Sequence, residues 1–153
     1  MLRFALEVDS PTIAAIWRDA WASANPHVDH LAPLEHWQAR VLAEFAAPNQ
    51  TFVYEAESRE VLAFMVLNAG DAYLHQIFVH PQWQRSGIGS CLLEHLCALC
   101  PTGWSLHVAT TNSRAIYFYT RHGLVQGPVS RNPVTGRERL LYSWRPPLLS
   151  HLR

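Results

Sequence analysis

Gln84-Arg85-Ser86-Gly87-Ile88-Gly89 follows a run of strand formers at 72–79 and Pro81, and opens a stretch in which Ile88, Leu92, Leu96 and Leu99 recur at helical spacing. A strand, a glycine turn and a helix in that order leave the first helical amides without intrahelical partners and put partial positive charge at the turn. With no Cβ at Gly87 or Gly89, a phosphate group can approach the backbone, and Arg85 and the amides of Ser86, Gly87, Ile88, Gly89 and Ser90 are placed to neutralise its oxygens. Pyrophosphate is the natural guest, although a turn of this kind taken alone is also compatible with a packing or capping device. Two familiar phosphate folds fit poorly. A dinucleotide fold wants a third glycine where Leu92 stands, and a nucleoside-triphosphate loop needs a lysine that this chain lacks.

Upstream of the turn, 51–57 and 61–67 are rich in strand formers and separated by Ser58-Arg59-Glu60, which predicts a hairpin. The strand at 72–79 follows the turn Asn68-Ala69-Gly70-Asp71 and completes an antiparallel meander. Two helices come earlier. The first starts at Asp9-Ser10-Pro11-Thr12, with a side-chain oxygen expected to cap the free amides, buries Ile13, Ile16, Trp17 and Ala20, and stops at Asn25-Pro26. The second runs from 34 to about 45 and is closed by Pro48-Asn49. Downstream, the helix begun at Gly87 ends at Pro101-Thr102-Gly103, a strand follows at 104–109, a helix at 112–122 stops at Gly123, and two strands flank the turn residues 132–136. No repeat or linker interrupts this order, so the expected class is α/β with a mixed sheet in one domain, 1–153.

The bulk composition suits such a domain. The 153 residues are 49% hydrophobic and 16% charged, able to build a core and too apolar for a disordered chain. Twelve basic residues balance twelve acidic ones, so the chain as a whole carries no field that draws it to nucleic acid or a membrane surface. Every basic residue is arginine, which excludes a lysine Schiff base and any lysine self-acetylation. Three cysteines within one helix argue against a disulfide framework, and no apolar run reaches membrane length, so the expected setting is the cytoplasm.

The second half of the functional signal is Asn112-Ser113-Arg114-Ala115-Ile116-Tyr117-Phe118-Tyr119-Thr120-Arg121-His122-Gly123-Leu124. Together with 84–89, it resembles the GNAT superfamily (Gcn5-related N-acetyltransferases). Its cofactor motif reads Gln/Arg-x-x-Gly-x-Gly/Ala, and its later motif reads Asn-x-x-Ala-x-x-x-Tyr-x-x-x-Gly-Phe, from which only Leu124 departs. The clear resemblance covers 72–124. It implies a twisted, mostly antiparallel sheet of about six or seven strands, splayed between the fourth and fifth, with about four helices. It also implies acetyl-CoA as donor substrate, no metal, and direct transfer to a primary amine of a small molecule or peptide. No nucleic acid or membrane partner is expected, and a homodimer is compatible with it. Pantetheine would add to the cofactor strand as a substitute strand on backbone groups of Ile77, Phe78 and Val79, with an amide near Val79 polarising the thioester carbonyl. The pyrophosphate would lie on Gln84, Arg85, Ser86, Gly87, Ile88, Gly89 and Ser90. Asn112 would contact the pantetheine arm, and Arg114 would reach toward the adenosine phosphate.

Tyr119 matches the family's general acid, and an unperturbed tyrosine stays protonated at neutral pH; the same residue also reads as a core aromatic beside Phe118. For the base, His75 lies four residues before Val79, on the face of Tyr73, Ile77 and Val79 by the period of two, and resembles a catalytic histidine of the arylalkylamine N-acetyltransferase branch. Water is the alternative proton acceptor, and Glu55 is a weaker one that reads as a solvated strand residue. His27, Asp29, His30 and His36 lack the spacing of a zinc site, and Cys97 and Cys100 read as buried thiols. Trp17, Trp21 and Trp37 read mainly as core, with substrate stacking open to each. A noncatalytic acyl-CoA-binding module and a transferase for a longer acyl donor remain the alternatives.

Overall fold

The run Val61-Leu62-Ala63-Phe64-Met65-Val66-Leu67 has no polar alternation, and a strand of that kind needs cover on both faces. In the computed structural model, which describes residues 1–147, all seven are buried. This strand, β3 (Val61–Asn68), lies between β2 (Gln50–Glu55) and β4 (Tyr73–Val79), antiparallel to both, and β1 (Leu2–Phe4) pairs with β2 at the edge. The predicted meander is therefore present. β1 was not legible in the sequence, because three residues carry no periodicity and are extended only through pairing Leu2, Arg3 and Phe4 with Tyr54, Val53 and Phe52.

Two helices, α1 (Ser10–Ala24) and α2 (Leu34–Glu44), contribute Ile13, Ile16, Trp17, Trp37 and Val41 to a cluster with Phe45, Val53, Phe64 and Val66. Trp17 meets Trp37 edge-on at 5.2 Å, and the Arg40 guanidinium lies over the Trp17 ring at 4.4 Å while bonding Glu44. The Trp37 indole donates to the Ala32 carbonyl, so its polar end is satisfied inside the core. Trp17 and Trp37 are thus core residues, while Trp21 is half-buried beside them.

The expected cap is absent. Asp9 precedes α1 but makes no capping bond; its carboxylate instead accepts from Arg3 at 2.8 Å and from the Leu6 amide at 2.7 Å. Arg3 also donates to Glu55 at 2.7 Å, so Glu55 is ion-paired and not a solvated strand residue. A charge 6% exposed needs such partners, and the Arg3 guanidinium holds the Asp9 carboxyl below its ordinary value. Arg3→Ala should therefore cost about 2–3 kcal/mol in chemical denaturation. Because the folded-state pKa of Asp9 is depressed, its contribution is present above the ordinary carboxylate pKa of 3.8 and is lost as pH falls below it. The difference between wild type and Arg3→Ala should accordingly shrink in acid. A pH-independent difference would show that packing alone holds the N-terminal strand.

The chain forms two compact units, Met1–His95 and a second beginning at Leu96. The boundary falls within α3 (Ile88–Leu99). In the second unit, β5 (Trp104–Ala109), α4 (Ser113–Arg121), β6 (Val125–Arg131) and β7 (Glu138–Trp144) follow, with β7 central and antiparallel to both β5 and β6. Leu106, Val108, Leu140 and Tyr142 supply its buried face. Gly123, at φ +81°, provides the left-handed exit from α4 that was expected of it. With seven strands and four α-helices among the described residues, the chain has the α/β class read from its sequence.

Candidate active site

The register of β4 on β3 breaks at one place. Val79, Phe78, Ile77 and Gln76 face Ala63, Phe64, Met65 and Val66, but Leu67 then faces Leu74, so His75 is the extra residue of a β-bulge. This corrects the expectation that Tyr73, His75, Ile77 and Val79 share one face. The inserted residue shifts the phase, so Tyr73, opposite Asn68, belongs with Gln76 and Phe78, while Leu74 belongs with Ile77 and Val79. His75 is exposed and stands edge-on to Tyr73 at 4.8 Å. Partial desolvation lowers its pKa, and Asp71 opposes the shift, so the imidazole is held toward its neutral form.

Beyond the bulge, the His80 amide donates to the Leu62 carbonyl at 2.8 Å. Antiparallel ladders alternate, so this bond sets Phe78 to exchange hydrogen bonds with Phe64 and turns the N–H and C=O groups of Ile77 and Val79 away from β3. Phe78 stands apart from those two: its ring packs against Phe64 at 5.9 Å, on the core side. The Gln84 side-chain amide donates to the Val79 carbonyl at 3.1 Å, bracing the glycine turn on the end of β4. That bracing role was not read from the sequence, where Gln84 figured only as a ligand contact.

Between strand and helix, Pro81–Trp83 forms a short 3-10 turn. The His80 ring nitrogen accepts from the Gln82 amide, and the Ser86 hydroxyl donates to the Trp83 carbonyl. Arg85 and Gly87 then both adopt positive φ, 66° and 91°. For arginine that conformation is strained, and such strain collects at binding turns. No heavy atom lies within 4 Å of the place a Cβ on Gly87 would occupy, so the surface there is open. The first helical bond of α3 runs from the Cys91 amide to the Gly87 carbonyl, which leaves the Ile88 and Gly89 amides ahead of the ladder, while the Ile88 side chain is buried as an anchor. Open backbone, a helix N-terminus and Arg85 together fit a pyrophosphate.

In the second unit, Asn112 caps α4: its side-chain oxygen accepts from the Ala115 amide at 3.2 Å. Arg114 is exposed in the first turn of α4. Tyr119 is only 6% exposed, packed between Phe118 at 5.4 Å and Tyr142 at 6.3 Å, and burial raises its hydroxyl pKa above the ordinary 10.0. The packing reading and the acid reading of this tyrosine are compatible, since a buried phenol keeps its proton more firmly.

Other candidates sort simply. Among the described residues, no group of three or more His, Cys, Asp or Glu side chains is arranged to hold a metal ion. Cys100 is buried, with its thiol pKa raised by desolvation, but Cys97 is half-exposed, against the expectation that both are buried. His107 on β5 was not singled out from the sequence; it is half-buried, and its pKa is lowered by burial and by Arg139. Its one sequence signal is its place between Leu106 and Val108, on the face opposite those buried side chains. No helix among the described residues is long and apolar enough to cross a membrane.

Known proteins resemble this chain along most of its length. It is 26% identical over 141 residues to the peptidyl-lysine N-acetyltransferase YjaB of Salmonella typhimurium, covering 91% of this chain and 87% of that one. It is 30% identical over 122 residues to the ribosomal protein bS18-alanine N-acetyltransferase of Escherichia coli, covering 73% and 82%. Its fold matches the solution structure of apo YjaB from Escherichia coli with a TM-score of 0.76 at 18% identity, over 96% of this chain and 98% of that one. The glycine turn and the tyrosine helix both fall inside residues 11–124, which match the Acetyltransferase (GNAT) family, and the chain belongs to that family.

Proposed function

We propose that the protein moves an acetyl group from acetyl-CoA to a primary amine of a small molecule or peptide, by direct transfer while both substrates are bound. The observation that carries this reading is the turn at Arg85 and Gly87, whose positive φ values and open surface suit a pyrophosphate at the start of α3. Ile77 and Val79 would bind the pantetheine arm through the backbone groups turned away from β3, and an amide near Val79 would polarise the thioester carbonyl. Asn112 and Arg114 would add contacts to the arm and the adenosine phosphate. Tyr119 would give its proton to the departing thiolate. The family match runs without a break across residues 95 and 96, which supports treating 1–153 as a single acetyltransferase domain.

The relatives named above act on peptidyl lysine and on a ribosomal protein's alanine. A screen of thiol release from acetyl-CoA over small amines, lysine peptides and peptide N termini tests the proposal. Turnover with at least one class is expected. Binding of acetyl-CoA with no turnover on any acceptor would leave a cofactor-binding module, and turnover with succinyl- but not acetyl-CoA would correct the donor.

His75 is the proton acceptor we assign. An acidic limb in kcat/KM should then lie below the ordinary imidazole pKa of 6.5, because desolvation lowers it, and should disappear in His75→Gln. A limb that survives the substitution would assign the step to water.

A further inference from the structure

The balanced charge of the whole chain conceals a division that coincides with the two structural units. Residues from Leu96 onward hold seven arginines and one acid, Glu138, whereas the preceding residues hold five arginines and eleven acids. In the first unit, Arg3, Arg18 and Arg40 are neutralised by neighbouring carboxylates. Among the described residues, Arg121, Arg131, Arg137, Arg139 and Arg145 have no carboxylate partner.

Their placement follows from the hairpin. Arg131, Arg137 and Arg139 gather at the β6–β7 turn, where Arg131 donates to the Gly136 carbonyl and Arg139 to the Ser130 hydroxyl. Val125 pairs with Ser143 at the other end, where Arg121 lies beside β6 while the Arg145 guanidinium bonds the Trp144 carbonyl and packs on Gly103, toward β5. The groups are about 20 Å apart along β6. There the Arg121 guanidinium lies 5.6 Å from the ring of Tyr117, which is 64% exposed on α4.

We propose that this hairpin edge binds a single-stranded polynucleotide, with phosphates on the arginines at both ends and a base stacked on Tyr117. Guanidiniums that no carboxylate neutralises, gathered at the two ends of one hairpin, match a polyanion. An exposed aromatic ring beside an arginine is the platform on which unpaired bases stack. An acidic peptide adding as a further strand fits less well, because the ladder shifts register between Gln126 and Val129 and Pro128 offers no amide at that break. The binding is independent of the transfer reaction and does not use Arg85 or Arg114.

Fluorescence anisotropy of an end-labelled oligouridylate, about 20 nucleotides long, titrated with the full chain at several salt concentrations, tests it. With about four phosphate contacts, affinity should fall roughly 50-fold between about 50 and 200 mM salt. Arg131→Glu with Arg137→Glu should flatten the logarithmic salt slope by about 1.4, and Tyr117→Ala should weaken binding at least about fivefold. Both variants should bind acetyl-CoA as the wild type does. The proposal is overturned by no binding at low salt, by an unchanged slope in the double variant, or by displacement of the oligomer with acetyl-CoA. It is equally overturned if polyglutamate of the same length binds as tightly and Tyr117→Ala is without effect.

Discussion

Tyr119→Phe is expected to lower kcat by about 10²–10³-fold while leaving the affinity for acetyl-CoA close to that of the wild type. The substitution removes one oxygen and keeps the ring, so the packing against Phe118 and Tyr142 survives and the loss falls on proton donation. Burial raises the pKa of this hydroxyl, so the acid stays loaded through the neutral range and activity should not decline on its account below pH about 10. The same shift has a stability consequence. The folded protein holds this proton more tightly than the unfolded chain, so stability is independent of Tyr119 below the ordinary value of 10.0 and declines as pH rises above it. Tyr119→Phe should lose that alkaline decline. Steady-state thiol release and calorimetric binding separate the two roles, and an unchanged kcat would reduce Tyr119 to a packing residue.

The cradle makes the second large prediction. Gly87 sits at φ +91°, a conformation that costs an L-residue about 1–2 kcal/mol, so any substitution there carries a strain penalty unrelated to ligand. Gly87→Ala measures that penalty alone, since no protein atom obstructs its Cβ. Gly87→Glu adds a carboxylate at the place assigned to the pyrophosphate. Acetyl-CoA affinity should be lower in Gly87→Glu than in Gly87→Ala by at least about 100-fold, a difference that like-charge contact in a partly desolvated site readily supplies. Equal affinities for the two variants would move the phosphates away from this turn. Comparing the variants with each other, rather than with the wild type, cancels the backbone term.

Much of the local backbone geometry was legible because its signals are local. The glycine turn before α3, the start of α4 at Asn112 and the stop at Gly123 each lie within a few residues of the backbone groups they serve. Helical amides need partners or ligands wherever the helix begins, and left-handed exits favour glycine wherever they occur, so residue type and spacing suffice to find them. The strand formers at 61–67 announced β3 in the same local way, though its burial on both faces did not enter that reading.

Only the tertiary structure could decide what depends on a distant partner. Arg3 and Glu55 are 52 residues apart, and nothing near Asp9 foretells that its carboxylate will leave the helix cap for that pairing. The face of His75 turns on one residue more in β4 than in the stretch of β3 opposite it, a count that exists only once the strands are paired. The arginines were all visible in the chain, yet their sum with the acids was zero until the boundary between His95 and Leu96 showed where each sign lies. Sequence thus determined the elements and the chemistry available at their ends, because those follow from neighbours along the chain. Register, ion pairing and the division of charge waited on the fold, because they are properties of contacts between segments.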